Sequence, residues 1–147
     1  MILNIKPATK TQIKEINELM NRCHDAFYDE DSILELMRGS LLAATVVCDK
    51  TVRGFCVCES TPIPDGCEIT ALYIDDEYRG IGLGRKLLSF ALREMRARHI
   101  RAAFLWVDEK NTRAASFFER IGFEADGKQR HNIGADDVYE KRYRIDI

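Results

Sequence analysis

Apolar and polar positions alternate in some stretches of this chain and recur at helical spacing in others. The alternating and β-branched runs predict about seven strands, at Ile2–Lys6, Leu41–Cys48, Val52–Glu59, Cys67–Ile74, Arg101–Val107, Phe123–Arg130 and Val138–Ile145. Helical spacing predicts helices after Pro7 and at Ser32–Arg38, Leu83–Arg98 and Thr112–Ile121. The order β-α-α-β-β-β-α-β-α-β-β predicts an α/β (α+β) fold, a mixed sheet of about seven strands with four helices on its faces.

Local signals define several boundaries of these elements. Thr9 with Gln12 and Ser32 with Glu35 have capping-box spacing, which predicts the starts of the first two helices. A helix separates the fourth and fifth strands, so a right-handed crossover predicts that these two strands are parallel. The sequence contains no linker or repeat, and residues 1–147 are expected to form one domain.

Composition narrows the function classes. The 147 residues have a formal net charge of −2, which gives no general attraction to nucleic acid or an anionic membrane surface. No apolar run is long enough to span a bilayer and no signal peptide is evident, so a cytoplasmic location is expected. Cys56 and Cys58 lie two apart on a strand and are expected to be buried hydrophobes, and no metal is expected.

A glycine-rich segment, Arg-Gly-Ile-Gly-Leu-Gly at residues 79–84, lies between a strand and a helix. Free amide N–H groups and the helix dipole make a helix start attractive to anions, and glycines let a phosphate approach the backbone. The Gly80-x-Gly82-x-Gly84 spacing does not fit the dinucleotide fingerprint, and Gly84-Arg85-Lys86 does not complete a Walker loop. ATP or NAD binding is therefore disfavoured by spacing.

Two segments together resemble a known family. Residues 72–84, Leu-Tyr-Ile-Asp-Asp-Glu-Tyr-Arg-Gly-Ile-Gly-Leu-Gly, resemble the central signature of the GNAT superfamily of N-acetyltransferases. Asn111, Ala114 and residues 117–123, Phe-Phe-Glu-Arg-Ile-Gly-Phe, resemble its second signature. The order of elements is also similar to that family's fold.

This resemblance implies acetyl-CoA as the acyl donor and several residues that bind it. The pyrophosphate would bind to the backbone amides of Gly80, Ile81, Gly82, Leu83, Gly84 and Arg85, in the loop that begins at the cofactor-binding residue Arg79. Leu72, Tyr73 and Ile74 would pair with the pantetheine arm, and the Leu72 amide would polarise the thioester carbonyl. Asn111 would contact that arm or order its loop, although Asn111 is also suited to cap a helix.

The acid and base of an acetyl transfer are less evident. Glu68 matches the position of a catalytic glutamate in some members of the family, but a glutamate near a strand start is also typical of a solvated charge. The family's usual acid is a tyrosine where this chain has Phe118, which cannot donate a proton. Phe118 would keep a packing role against the pantetheine arm, and water, Tyr139 or Tyr143 are alternative acids.

The acceptor is expected to be a small cationic amine or a peptide terminus, because the segments that line the family's acceptor cleft are acidic here. The candidate lining residues are Tyr28, Asp29 and Tyr139, with His24, Asp25, Glu30, Asp31, Asp136 and Asp137 nearby in sequence. Polar loops also carry charge without selecting a substrate. A non-catalytic acyl-CoA-binding or regulatory domain is the alternative function, and a homodimer through an open sheet edge is possible.

Overall fold

The computed structural model describes residues 2–23, 28–133 and 137–147. Its strands are β1 Leu3–Pro7, β2 Leu42–Cys48, β3 Thr51–Ser60, β4 Gly66–Ile74, β5 Ala102–Asp108, β6 Glu124–Ile133 and β7 Asp137–Asp146. Its helices are α1 Ile13–Cys23, α2 Glu30–Arg38, α3 Leu83–Ala97 and α4 Thr112–Ile121. The described helices include none that is long and apolar enough to cross a membrane.

The seven strands form one mixed sheet in the order β1-β2-β3-β4-β5-β7-β6. All neighbouring strands are antiparallel except β4 and β5, which are parallel and connected through α3. The predicted fold class, the element order and the parallel pair are therefore confirmed. The β2–β3 hairpin turns at Asp49 and Lys50, whose φ angles of 51° and 70° match the twist of a tight hairpin.

Element boundaries differ from the prediction by a few residues, and one predicted cap is wrong. Asp29, not Ser32, begins α2: its carboxylate accepts a hydrogen bond from the Ser32 amide at 2.7 Å. Because Asp29 caps amides that lie three residues earlier than those a Ser32 cap would bond, the helix begins most of a turn before the predicted start. The strands β6 and β7 extend into the predicted turn, whose central residues 134–136 lie outside the described residues.

Helices cover both faces of the sheet. The α3–α4 face buries Leu87, Leu88 and Met95 of α3 against Ala103 and Leu105 of β5. On the opposite α1–α2 face, Ile16 and Leu19 of α1 pack against Phe55 and Val57 of β3. The expectation for Cys56 and Cys58 is confirmed, because both are buried on the α3–α4 face with their Sγ atoms 3.9 Å apart.

A buried carboxylate anchors the chain where β4 ends. Asp75 is 5% exposed, and its Oδ2 accepts hydrogen bonds from Arg22 of α1 and Arg53 of β3, each at 3.0 Å. Its Oδ1 accepts one from the Glu77 amide at 3.2 Å. Arg53 is the extra residue of a bulge opposite Val46 and Val47, which turns its side chain toward Asp75. Three elements therefore meet at one carboxylate just before the glycine-rich segment.

These contacts also determine the charge of Asp75. Burial opposes the charged form, but the hydrogen bonds from Arg53 and Glu77 and the charge of Arg22 outweigh it. The pKa of Asp75 is therefore below its usual value. A carboxyl with a depressed pKa in the folded state stabilises the fold above its unfolded pKa, and that stabilisation is lost as pH falls through the folded pKa.

We expect Asp75→Ala to lower the free energy of unfolding by about 3 kcal/mol, because it leaves two arginines without their shared carboxylate. Asp76→Ala is the matched control: its ion pair with Arg79, at 2.7 Å, is solvent-exposed and is expected to contribute less than about 1 kcal/mol. Urea unfolding at neutral pH measures both values. Equal losses in the two variants would contradict the anchoring role.

The same anchor predicts a pH dependence. Wild type and Asp75→Asn are expected to differ most in stability near neutral pH. The difference is expected to shrink as pH falls below about 4, where the unfolded carboxyl takes up its proton. Urea unfolding of both proteins between pH 7 and pH 3 measures it, and a difference that grows on acidification would contradict the depressed pKa.

Candidate functional site

The two parallel strands separate after a short stretch of pairing. The β4 and β5 strands pair only at Gly66–Ala102, Cys67–Ala103 and Glu68–Phe104. Beyond these pairs, β4 continues to pair with β3, and β5 continues to pair with β7, but β4 and β5 no longer pair with each other. A bulge in β4, with Thr70 as the extra residue, lies just past the last pair and bends the strand. The β4 backbone from residue 69 to 74 therefore has no ladder partner on β5, and an extended ligand could pair there.

The glycine-rich segment lies at the end of this opening. Gly82 is the N-cap of the 15-residue helix α3 and has a φ of 85°, as does Gly80. Among the described residues, no atom would lie within 4 Å of a Cβ built at either glycine. Both glycines thus adopt a left-handed conformation that L side chains disfavour, with room above the backbone. The free amides and the helix dipole fit a pyrophosphate group at this position.

Gly84 has a different role from the other two glycines. A Cβ at Gly84 would lie 3.3 Å from the Phe117 ring and 3.5 Å from Ile74. Phe117 and Phe118 of α4 contact each other edge to face, with ring centroids 5.1 Å apart, and Phe118 contacts Phe123 at 5.7 Å. Gly84 therefore permits α3 and α4 to pack closely beside the opening.

Asn111 and Phe118 have structural roles in the described chain. The Asn111 Oδ1 accepts a hydrogen bond from the Ala114 amide at 3.0 Å and caps α4, so the capping interpretation is confirmed. Phe118 is half-buried and packs against the core of the α3–α4 face. Contacts of either residue with a pantetheine arm stay predictions.

Glu68 lies on the α1–α2 face, where β4 and β5 separate. It is half-buried in a central strand rather than at a solvated edge, and its Oε1 accepts a hydrogen bond from the Trp106 indole at 3.3 Å. Glu59 of β3 is directly opposite Glu68, and its carboxylate accepts a hydrogen bond from the Thr70 hydroxyl at 3.0 Å. Like charges at directly opposed positions repel each other. The site thus concentrates negative charge beside the opening.

Two of the predicted acceptor residues are near the start of α2. The Tyr28 backbone is held by the Asn21 side chain, through hydrogen bonds of 3.0 and 3.2 Å. Burial and a hydrogen bond with Tyr28 raise the pKa of Tyr73 on β4 above its usual value. Asp29 caps α2, and hydrogen bonds from Ser32 lower the pKa of its carboxyl. His24, Asp25 and Asp136 lie outside the described residues.

The tyrosines of β7 lie apart from each other. Tyr139 is 53% exposed and stacks on His131 with ring centroids 4.2 Å apart. Tyr143 is buried, pairs with Leu105 and lines a small cavity between β5, β7 and α4. The strand β5 therefore separates Tyr143 from the opening beside β4.

Sequence reasoning missed two residues near this site. Trp106, the sole tryptophan, contacts Glu68 from the neighbouring strand, and its only signal was an aromatic within a largely apolar run. Asp75 anchors the start of the glycine-rich segment through two arginines that are distant in sequence: Arg22 is 53 positions away and Arg53 is 22 positions away. Within the described ranges, no group of three or more His, Cys, Asp or Glu residues is arranged to hold a metal ion.

Several known proteins share parts of this sequence. A mycothiol acetyltransferase from Geodermatophilus obscurus is 41% identical over 56 residues, which cover 38% of this chain and 18% of that protein. An uncharacterized N-acetyltransferase from Methanocaldococcus jannaschii is 32% identical over 88 residues, which cover 48% of this chain and 39% of that protein. The chain thus matches less than half the length of these curated relatives.

Solved structures share the whole fold at low identity. The Escherichia coli ribosomal-protein-S18-alanine N-acetyltransferase superposes with a TM-score of 0.86 at 19% identity, covering 99% of this chain and 94% of that one. The NatC complex bound to Gag peptide and CoA contains a chain with a TM-score of 0.85 at 19% identity, covering 100% of this chain and 99% of that one.

A family model described as the acetyltransferase (GNAT) family matches residues 12–123. This range includes the separation of β4 from β5, the glycine-rich segment, and α4 with its Asn111 cap. The match covers most of the chain, and it agrees with the superposed folds. This chain belongs to the GNAT acetyltransferase family.

Proposed function

We propose that this chain is an acetyl-CoA-dependent N-acetyltransferase that acts on a primary amine. The observation that carries the proposal is the separation of β4 from β5 beside the glycine-rich segment. An unpaired strand edge and a helix N-terminus in one opening suit a ligand with an extended amide arm and a pyrophosphate. Coenzyme A has both parts.

Donor binding would use the backbone more than side chains. The amides of residues 80–85 would bind the pyrophosphate, and residues 72–74 of β4 would pair with the pantetheine arm. The conformations of Gly80 and Gly82 support this, because the backbone there is accessible and no described side chain shields it. Arg79 is held in place by Asp76 at 2.7 Å, and Arg85 adds positive charge at the start of α3.

Bound acetyl-CoA supplies an activated acetyl thioester. An amine attacks it only when deprotonated, and Glu68 would accept the amine proton directly or through water. The Leu72 amide would donate a hydrogen bond to the carbonyl oxygen on which negative charge develops. The C–N bond forms as the C–S bond breaks. Phe118 cannot protonate the leaving thiolate, but a thiol pKa of about 8.5 lets a thiolate leave without full protonation.

The acceptor would be a small cationic amine or a peptide terminus. Glu68 and Glu59 give the α1–α2 face a negative potential beside the opening, which favours an ammonium group. Tyr28, Asp29 and Tyr139 are the remaining candidate lining residues. A peptide terminus draws support from the E. coli enzyme and NatC, whose names and bound peptide concern protein substrates.

Phe118 supports a second candidate function. A chain that keeps the fold and the loop but lacks the usual tyrosine could bind acyl-CoA as a regulatory domain without catalysis. Both functions require coenzyme A binding, and only the first requires the carboxylate of Glu68. They differ in whether an amine causes thiol release.

A panel assay separates the two functions. Purified protein with acetyl-CoA is mixed with spermidine, glucosamine or a peptide with N-terminal alanine, and free CoA thiol is followed over time. The enzyme function predicts thiol release that depends on at least one of these amines. Coenzyme A binding by calorimetry together with no amine-dependent release would favour the regulatory function.

Gly82→Ala is expected to weaken coenzyme A binding by about ten-fold or more, because a β-carbon enters the space where the pyrophosphate must approach the amides. Gly127→Ala is a matched control: Gly127 has a φ of 87° and similarly open surroundings in β6. Both variants should lose about 1 kcal/mol of stability to backbone strain. Calorimetric affinities that fall equally in both variants would contradict the loop's role.

Glu68→Gln is expected to lower kcat/KM for the amine by about 100-fold, which is typical for loss of a general base, and to leave coenzyme A affinity unchanged. Glu59→Gln removes the same charge one strand away and controls for electrostatic attraction of the ammonium. The Glu68→Gln defect should shrink as pH approaches about 10, where the free amine needs no base. A defect that is equal in both variants at every pH would exclude Glu68 as the base.

A further inference from the structure

The Trp106 indole connects Glu68 to a layer of charged side chains on the outer strands. Phe104 and Trp106 of β5 lie on the α1–α2 face, because the alternate residues Ala103 and Leu105 pack into the opposite core. The Trp106 Nε1–H donates to Glu68 Oε1 at 3.3 Å. Within the described part of the chain, no lysine or arginine forms an ion pair with Glu68, so this N–H is the contact that orients its carboxylate.

The indole is itself held by an arginine. The Arg130 guanidinium of β6 lies 4.3 Å from the Trp106 ring centroid, within the range of a cation–π interaction. The Arg130 Nε–H donates to Glu140 Oε1 on β7 at 2.9 Å, and the Glu140 side chain is only 16% exposed. Three successive contacts therefore run from β7 through β6 and β5 to Glu68 on β4.

We propose that Trp106 is a positioning residue for Glu68, and that Arg130 and Glu140 hold the indole in the orientation this requires. This inference rests on the proposed function for its kinetic consequence, but the contact itself is independent of that function. A base contributes fully only when its oxygen lies within hydrogen-bond reach of the proton it accepts, and a displacement of about 1 Å costs up to 100-fold in rate. The indole N–H leaves the second oxygen of Glu68 available for the amine proton.

Other charged groups on this face are arranged in separate pairs. Glu59 of β3 lies opposite Glu68. Arg142 of β7 bonds Asp126 at 2.6 Å and lies over Phe104 at 4.7 Å and, more distantly, Trp106 at 6.0 Å. Arg144 bonds Asp146 and lies over Phe104 at 5.4 Å. Arg130 is thus nearer to the indole than Arg142, and the two are distinguishable by substitution.

The kinetic test is a double-mutant cycle with Trp106→Phe and Glu68→Gln, measured as kcat/KM with the three amines of the panel. Trp106→Phe keeps a ring and removes the N–H donor. In wild type it is expected to lower kcat/KM about ten-fold, because the Glu68 carboxylate loses the donor that orients it. In the Glu68→Gln background it is expected to change kcat/KM less than two-fold. Equal losses in both backgrounds would overturn the proposal.

Two arginines provide a matched comparison within the same experiment. Arg130→Gln removes the guanidinium over Trp106, and Arg144→Gln removes one over Phe104; their side chains are similarly exposed, at 46% and 48%. Arg130→Gln is expected to lower kcat/KM about three-fold, with no change for Arg144→Gln. Equal losses of kcat/KM in the two variants would show that these arginines stabilise the sheet in general and that Arg130 does not position the indole.

Intrinsic fluorescence tests the contact without any substrate. Trp106 is the sole tryptophan, so its emission reports directly on the hydrogen bond to Glu68. At neutral pH, Glu68→Gln is expected to shift the Trp106 emission relative to wild type, because the indole N–H loses its charged partner, whereas Glu59→Gln is expected to leave the emission unchanged. Circular dichroism confirms that each variant is folded. Equal emission shifts in Glu68→Gln and Glu59→Gln, or none in either, would overturn the proposal. If thiol release fails with every amine while this fluorescence link holds, the proposed function fails and the positioning contact stands.

Discussion

The separation of two parallel strands after only three residue pairs is the constraint on which the other features depend. Interior parallel strands normally satisfy each other's backbone groups along their length. Here β4 bends away at Thr70, and a stretch of backbone loses its partner on β5. Such a stretch is tolerated where water or a ligand completes its hydrogen bonds. The bulge thus leaves an unpaired backbone edge in the middle of the sheet, beside a core that stays packed.

The glycine-rich segment follows the bent strand β4, so its position depends on how the end of β4 is held. Asp75 does this by joining the end of β4 to α1 and β3 through two arginines. The same carboxylate bonds the Glu77 amide and so starts the turn that leads to Gly80 and Gly82. Buried ion pairs often contribute little net stability but define one arrangement among several. Here the ion pairs of Asp75 define the path of the chain from the end of β4 to the start of α3.

Much of this architecture was predictable from the sequence, and the limits have physical causes. The type and order of the elements follow from local periodicity, so all seven strands and four helices were predicted. The cap of α2 was wrong because two acceptable capping residues lie three positions apart. The contact between Trp106 and Glu68 depends on the register of β4 against β5, which no local pattern specifies. Asp75 was missed because its partners are distant in sequence.

The burial of the cysteines has a consequence for the proposed use of an acyl thioester: four of the five are buried and Cys23 is partly buried. The hydrogen bond with Cys56, together with burial, raises the pKa of the Cys58 thiol. The hydrogen bond with Cys58, together with burial, raises the pKa of the Cys67 thiol. Burial and neighbouring aspartates raise the pKa of Cys23 and Cys48 as well. A protonated thiol is a poor nucleophile. These four side chains would therefore compete weakly for an activated acyl group, and a chain that bound an acyl thioester as proposed would be protected from acylating its own thiols.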